Sequence, residues 1–234
     1  MINRCKSLFA LLGLVAAPLH AQQALPTPLP VEAQAAAEAL RPALWKVADE
    51  DTTIYLFGTI HLLPKGKEWF DGPVATAFEQ SAELVTEIPE AEPSESGAVL
   101  LRRGVLPPGK SLRAGMSKNE KAKYEAALKR FNLPVAAFDR FKPWYAGVVL
   151  ATLPLAKEGY DVSNGVESQL DRRNKERGKP RSGLETLDYQ LGLFDSLPAK
   201  VQKRYLFEVI DALPTLSQDI AKMDDAWGKG NPAA

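Results

Sequence analysis

The spacing of apolar and polar positions changes period several times along the chain, and each change marks an element. "ALWKVAD" (43–49) and "TTIYLFGT" (52–59) are short runs rich in apolar, β-branched and aromatic residues. Asp49, Glu50 and Asp51 stand between them, so the two runs read as strands joined by a polar, hairpin-like turn. From Trp69 to Ala82 the apolar positions follow helical spacing. "ELVTEIPE" (83–90) returns to a period of two: Leu84, Thr86 and Ile88 face one way, Val85 and Glu87 the other, and Pro89 ends the strand.

Further along, "MSKNEKAKYEAALKRF" (116–131) opens with Ser117 three residues before Glu120, the pattern of a capping box. "KPWYAGVVLATLPLAKEG" (142–159) predicts a helix from Pro143 that Pro154 should kink. "SNGVESQLDRRNKERGK" (163–179) predicts an amphipathic helix ending at Gly178. "PRSGLET" (180–186) reads as a strand of about four residues, and two more helices follow around 187–194 and 199–213. Ahead of these elements, "QQALPTPLP" (22–30) predicts an extended, mobile leader. The Ala- and Glu-rich stretch after it predicts a short helix up to Leu40, stopped by Pro42. Strands separated by long helical stretches imply an α/β or α+β domain, with a central sheet of few strands and a large helical insertion.

The chain has 234 residues, of which 45% are hydrophobic and 25% charged, which suits one domain with its own core. Lysine plus arginine balance aspartate plus glutamate at 29 each. With no basic stripe, zinc-finger spacing or phosphate-cradling glycine loop, a nucleic-acid partner is not implied. The start of the chain is different. "MINRCKSLFALLGLVAAPLHA" places Arg4 and Lys6 before an apolar stretch from Leu8 to Leu19 and ends on Ala21. A basic start, an apolar run too short to span a bilayer and a small residue at the end predict a signal peptide over 1–21. The expected mature protein is exported, periplasmic or secreted, with no stable membrane span. Residues 22–42 form its leader and short helix, and 43–234 its domain. Cleavage removes Cys5 and His20, so the mature chain carries no cysteine and one histidine, His61. Disulfides and cysteine-type zinc sites are thereby excluded.

His61 follows Gly58 in "FGTIH", at the end of a predicted strand, where α/β folds place ligand sites. Its imidazole suits a general base or a metal ligand, or caps the loop through a hydrogen bond. Glu87 and Glu185 both stand near strand ends, where a carboxylate must be paired, ligating or at the rim. Glu167 stands three residues after Asn164, so a capping pair is an alternative to a site role. A serine nucleophile lacks its G-x-S-x-G elbow, and a dinucleotide site lacks its glycine fingerprint. Histidine with carboxylates leaves metal-assisted hydrolysis or ligand binding.

The blocks "LWKV", "TTIYLFGTIHLLPKG" with its G-x-x-H at Gly58 and His61, "ELVTEIPE", "KPWYAGVVL", "GVESQLDRRNKERGKP", "GLETLDYQLGLFDSLP" and "DDAWGKGN" resemble, in order, the TraB/GumN family. The resemblance runs from about residue 43 to the end. That family includes the TIKI proteases, for which a metal-dependent peptidase activity is claimed, and is related to a haem-binding and esterase-like superfamily. The resemblance implies a metal-dependent hydrolase of peptidase type acting on a peptide or small molecule. His61, Glu87, Glu167 and Glu185 would hold a divalent ion (manganese, cobalt or zinc) or activate its water. Glu87 and Glu185 join His61 as the expected catalytic set, and Glu87 and Glu167 join it as the expected ligands. Family members continue with a further helix, an Arg-Asn pair and a second G-x-x-H, and have aspartate where Asn231 stands. The expectation is therefore a C-terminally shortened member with an incomplete sheet and a tendency to self-associate, either still catalytic or a non-catalytic envelope protein binding a ligand or partner.

Overall fold

The computed structural model describes residues 40–89 and 93–231; the expected signal peptide and residues 22–39 of the expected leader and short helix lie outside them. Strands β1 (Leu44–Ala48) and β2 (Thr53–Phe57) form the expected antiparallel hairpin, with Leu44 opposite Phe57 and Ala48 opposite Thr53. Its turn closes on Asp49, whose carboxylate accepts the Thr52 N–H at 2.7 Å. A loop then carries Gly58 to Leu62 into β3 (Leu63–Pro64).

Helix α1 (Gly72–Gln80) follows, buried through Val74, Ala77 and Phe78. Next comes β4 (Leu84–Thr86), then α2 (Pro93–Gly104), which the apolar pattern did not announce. A short 3₁₀ turn (Leu112–Gly115) leads to α3 (Lys118–Arg130), where both halves of the expected capping box form: the Ser117 hydroxyl accepts from Glu120 N and the Glu120 carboxylate from Ser117 N. Helix α4 (Pro143–Lys157) starts at Pro143 and runs through Pro154. Strand β5 (Tyr160–Asp161) and a 3₁₀ turn (Val162–Asn164) come before α5 (Val166–Arg177), which ends on Gly178 with φ 61°. That left-handed closure is open to glycine without a steric penalty. Strand β6 (Arg181–Gly183) and helices α6 (Leu187–Asp195), α7 (Ala199–Ala212) and α8 (Leu216–Gly228) complete the described chain.

Mixed strands and helices bear out the α/β or α+β class. Among the described residues six strands form three two-stranded sheets in place of the expected single central sheet: β1–β2 and β3–β5 antiparallel, β4–β6 parallel. Two apolar clusters hold the chain together. The larger is helical and includes Tyr124, Leu128, Trp144, Leu150, Phe194 and Leu206. Its tightest seam is α4 on α7: a Cβ at Gly147 would lie 2.9 Å from the Tyr205 ring and 3.4 Å from the Leu206 Cα. The smaller cluster joins Ile60, Leu63, Trp69, Val74, Phe78, Val166 and Leu170. It packs the loop after β2 against α1 and the start of α5, and so fixes the surroundings of His61.

Candidate active site

Ile60 anchors the loop after β2 in the smaller cluster, while the neighbouring His61 is only partly covered. The first residue of α5 meets this loop directly: Val166 N–H donates to the Ile60 carbonyl at 2.9 Å. Gly165, the residue before it, lies so close that a Cβ there would fall 2.0 Å from His61 O. Only glycine fits such an approach. It brings Glu167, in the first turn of α5, to the imidazole: Glu167 Oε1 lies 3.0 Å from His61 Nδ1. The same oxygen accepts a short hydrogen bond from the Thr59 hydroxyl.

The capping alternative for Glu167 is therefore displaced. Gly165, not Asn164, is the N-cap of α5 and makes no side-chain cap. Burial pushes the Glu167 carboxyl up, but the hydrogen bond and charge of His61, with the Thr59 hydroxyl, outweigh it and hold the group below the usual carboxylate range. Its place in the first turn of a helix also favours the ionised form.

Glu87 and Glu185 meet at the other side of the ring. The β4–β6 ladder continues past its strands, with Leu184 N donating to Thr86 O and Glu185 N to Glu87 O, each at 2.9 Å. A second glycine permits this approach: a Cβ on Gly183 would lie 2.2 Å from Pro89 Cδ. As the period of two implied, Thr86 is buried and Glu87 exposed. Gln190, on α6 and 1% exposed, ties the pair together. Its Nε2 donates to Glu87 Oε1 at 2.6 Å and to Glu185 Oε2 at 2.9 Å. Arg181 of β6 bonds Asp171 of α5 at 2.6 Å and donates to Thr86 Oγ1 and Ile88 O, locking α5, β4 and β6 in register.

The structure places the four residues expected from the sequence near one another, through different contacts. His61 and Glu167 are in direct contact. Glu87 faces the ring across a gap, with Oε2 4.0 Å from His61 Nε2. Glu185 reaches the site through Gln190. Thr59, Gly165, Gly183 and Gln190 were not singled out from the sequence. The two glycines gave a signal in "NGVE" and "SGLE", each standing two residues before a site glutamate. Gln190 gave none, since a polar residue on a helix is ordinary.

A divalent ion needs three or four protein donors at roughly 2.0–2.2 Å. Among the described residues no group of three or more His, Asp or Glu side chains is arranged to hold one. Glu167 Oε1 is committed to His61 and Thr59, and Glu185 to Gln190. As placed, the set His61, Glu87 and Glu167 does not by itself make a metal site. Among the described residues no helix is long and apolar enough to cross a membrane.

A family model described as the TraB/PrgY/gumN family matches residues 43–234. No curated protein and no solved structure matches the chain.

Proposed function

The chain belongs to the TraB/PrgY/gumN family, and within it we propose an exported hydrolase of peptidase type in which His61 activates water. The observation that carries the proposal is the two-sided setting of the imidazole. Nδ1 is held by Glu167 at 3.0 Å, and Nε2 looks across 4.0 Å at Glu87 Oε2. A neutral ring donating through Nδ1 keeps its lone pair on Nε2. The span to Glu87 is one that a single water bridges, donating one proton to each side.

As the water oxygen attacks a carbonyl carbon, His61 Nε2 takes one of its protons. The ionised Glu167 stabilises the imidazolium that forms, the role a carboxylate plays behind a catalytic histidine. On collapse of the tetrahedral species the same proton passes to the leaving nitrogen or oxygen. Glu87 holds the water by its second proton, and Gln190 fixes Glu87 against Glu185. A second reading, a ligand-binding protein without catalysis, has one observation in its favour. Gln190 Oε1 is buried without a hydrogen-bond partner, as an acceptor meant for a ligand N–H would be.

The test is cleavage of a mixed peptide library by protein recovered from the cell envelope, read by mass spectrometry. Cleavage that falls about 10²- to 10⁴-fold in His61→Asn, the usual contribution of a general base, supports the hydrolase. Tight retention of a peptide without cleavage, equal in both proteins, favours the binding reading. N-terminal sequencing of the same sample should begin near Gln22.

A further inference from the structure

We propose that the last turn of α8 is a latch that positions His61, with Trp227 and Asp224 as positioning residues that never touch the reacting atoms. The inference rests on the reading of His61 as the working base. The residues stand three apart on one helix, so they share a face, and they grip the His61 loop at both ends. Before the histidine, Trp227 Nε1 donates to the Gly58 carbonyl at 2.8 Å, the first residue of the G-x-x-H. The Trp227 ring also packs on Phe57 and Trp69, with centroids 6.4 and 6.2 Å apart. Beyond the histidine, Asp224 pairs with Lys67 at 3.0 Å. The same carboxylate oxygen lies 3.5 Å from the hydroxyl of Tyr160, which stands opposite Pro64 in the β3–β5 pair.

Asp224 is 4% exposed, and a buried carboxylate is costly unless something is gained by the pairing. The loop itself shows the gain. Its Ile60 carbonyl is held by α5 and its Gly58 carbonyl by α8. Without Trp227, the segment entering His61 keeps a weaker backbone tie, Gly58 N to Ala43 O at 3.5 Å. The next residue on the same face, Gly228, receives Arg41 N on its carbonyl at 2.6 Å. One helical turn therefore sets the start of β1, the exit of β2 and the segment after β3.

The test uses the full chain and needs no substrate. The proteins are wild type, Trp227→Phe, Lys67→Met and, as a control in the other core, Leu128→Ala. Two signals are followed: the ring ¹⁵N shifts of His61 at a fixed pH where the ring is neutral, and hydrogen exchange of the Val166 amide that bonds Ile60. In Trp227→Phe the ratio of Nδ1–H to Nε2–H tautomers should fall about fivefold, roughly what one hydrogen bond sustains, and Val166 should exchange faster. Leu128→Ala should leave both signals unmoved. If Trp227→Phe fails to fold, Lys67→Met, altered at a partly exposed side chain, carries the same expectation. Unchanged signals in whichever of these variants folds, or equal changes in Leu128→Ala, would overturn the latch. Absence of peptide cleavage by the wild type would count against the hydrolase reading and leave these signals, and the latch, standing.

Discussion

The two apolar clusters solve the same packing problem by different means. The helical cluster, apart from the close glycine Gly147 at the α4–α7 seam, is made of large side chains filling the space between α3, α4, α6 and α7. Trp144 and Phe194 stack with centroids 5.6 Å apart, and Leu128, Leu150 and Leu206 are fully buried. The smaller cluster at the site has three short two-stranded sheets around it and leans on backbone proximity. Gly165 touches His61, Gly183 touches Pro89, and two buried carboxylates, Asp171 paired with Arg181 and Asp224 paired with the partly exposed Lys67, tie neighbouring elements together. A helical core tolerates imprecision because many contacts share the load. A site built from glycine contacts and single polar bonds does not. It holds four side chains in fixed relation at the expense of robustness.

That contrast can be broken from either side. The largest expected effect is in the helical cluster: Trp144→Ala should lower stability by about 3–5 kcal/mol, the range for emptying a buried aromatic site, seen as an early denaturant midpoint. Gly165→Ala should cost less overall, about 1–3 kcal/mol for forced overpacking. It should nevertheless abolish the His61–Glu167 contact, because the new methyl and the His61 carbonyl cannot occupy the same space. A variant that folds and keeps the contact would show that the loop has more freedom than the glycine implies.

A smaller and pH-dependent effect belongs to Glu167. Its folded pKa lies below the unfolded value, about 4.3, so the fold favours the ionised form. The stability it contributes is fully present above that unfolded value and is lost as pH falls through the lower folded one. Glu167→Gln should therefore be less stable than wild type at neutral pH and equal to it at the acid end. Parallel pH profiles for the two proteins would contradict the assignment. The smallest effect concerns the hairpin. Trp45 pairs with Leu56 and Val47 with Ile54, and all four are about half exposed on one face. Leu56→Lys should change stability by no more than about 0.5 kcal/mol yet reduce light scattering at high concentration, if self-association uses that face.

Much of this was legible in the sequence, and the reasons are local. The hairpin, α1 and α3 through α7 follow from periodicity and from end signals such as Ser117 with Glu120, Pro143 and Gly178. Helix α2 was missed although Pro93, Glu95 and the closing Arg102 and Arg103 are helix-end signals, because its exposed leucine, Leu101, blurs the apolar stripe. Helix α8 was missed because it buries an aspartate where a hydrophobic residue is expected. Strands β3 and β5, two residues each, exist only through their partner and have no pattern of their own. At the site, the residue types His61, Glu87, Glu167 and Glu185 were readable, since strand ends and helix starts announce themselves. Their contacts with one another were not. They depend on the closeness of Gly165 and on Gln190 reaching across from α6, contacts between residues far apart in the chain.

The proposed chemistry turns on Glu167 holding His61 by Nδ1 and leaving Nε2 to meet water. Ring ¹⁵N spectroscopy of the neutral imidazole measures this directly. His61 should be mainly the Nδ1–H tautomer in the wild type and shift toward Nε2–H in Glu167→Gln. A wild-type ring that is mainly Nε2–H, or one indifferent to Glu167→Gln, would contradict it.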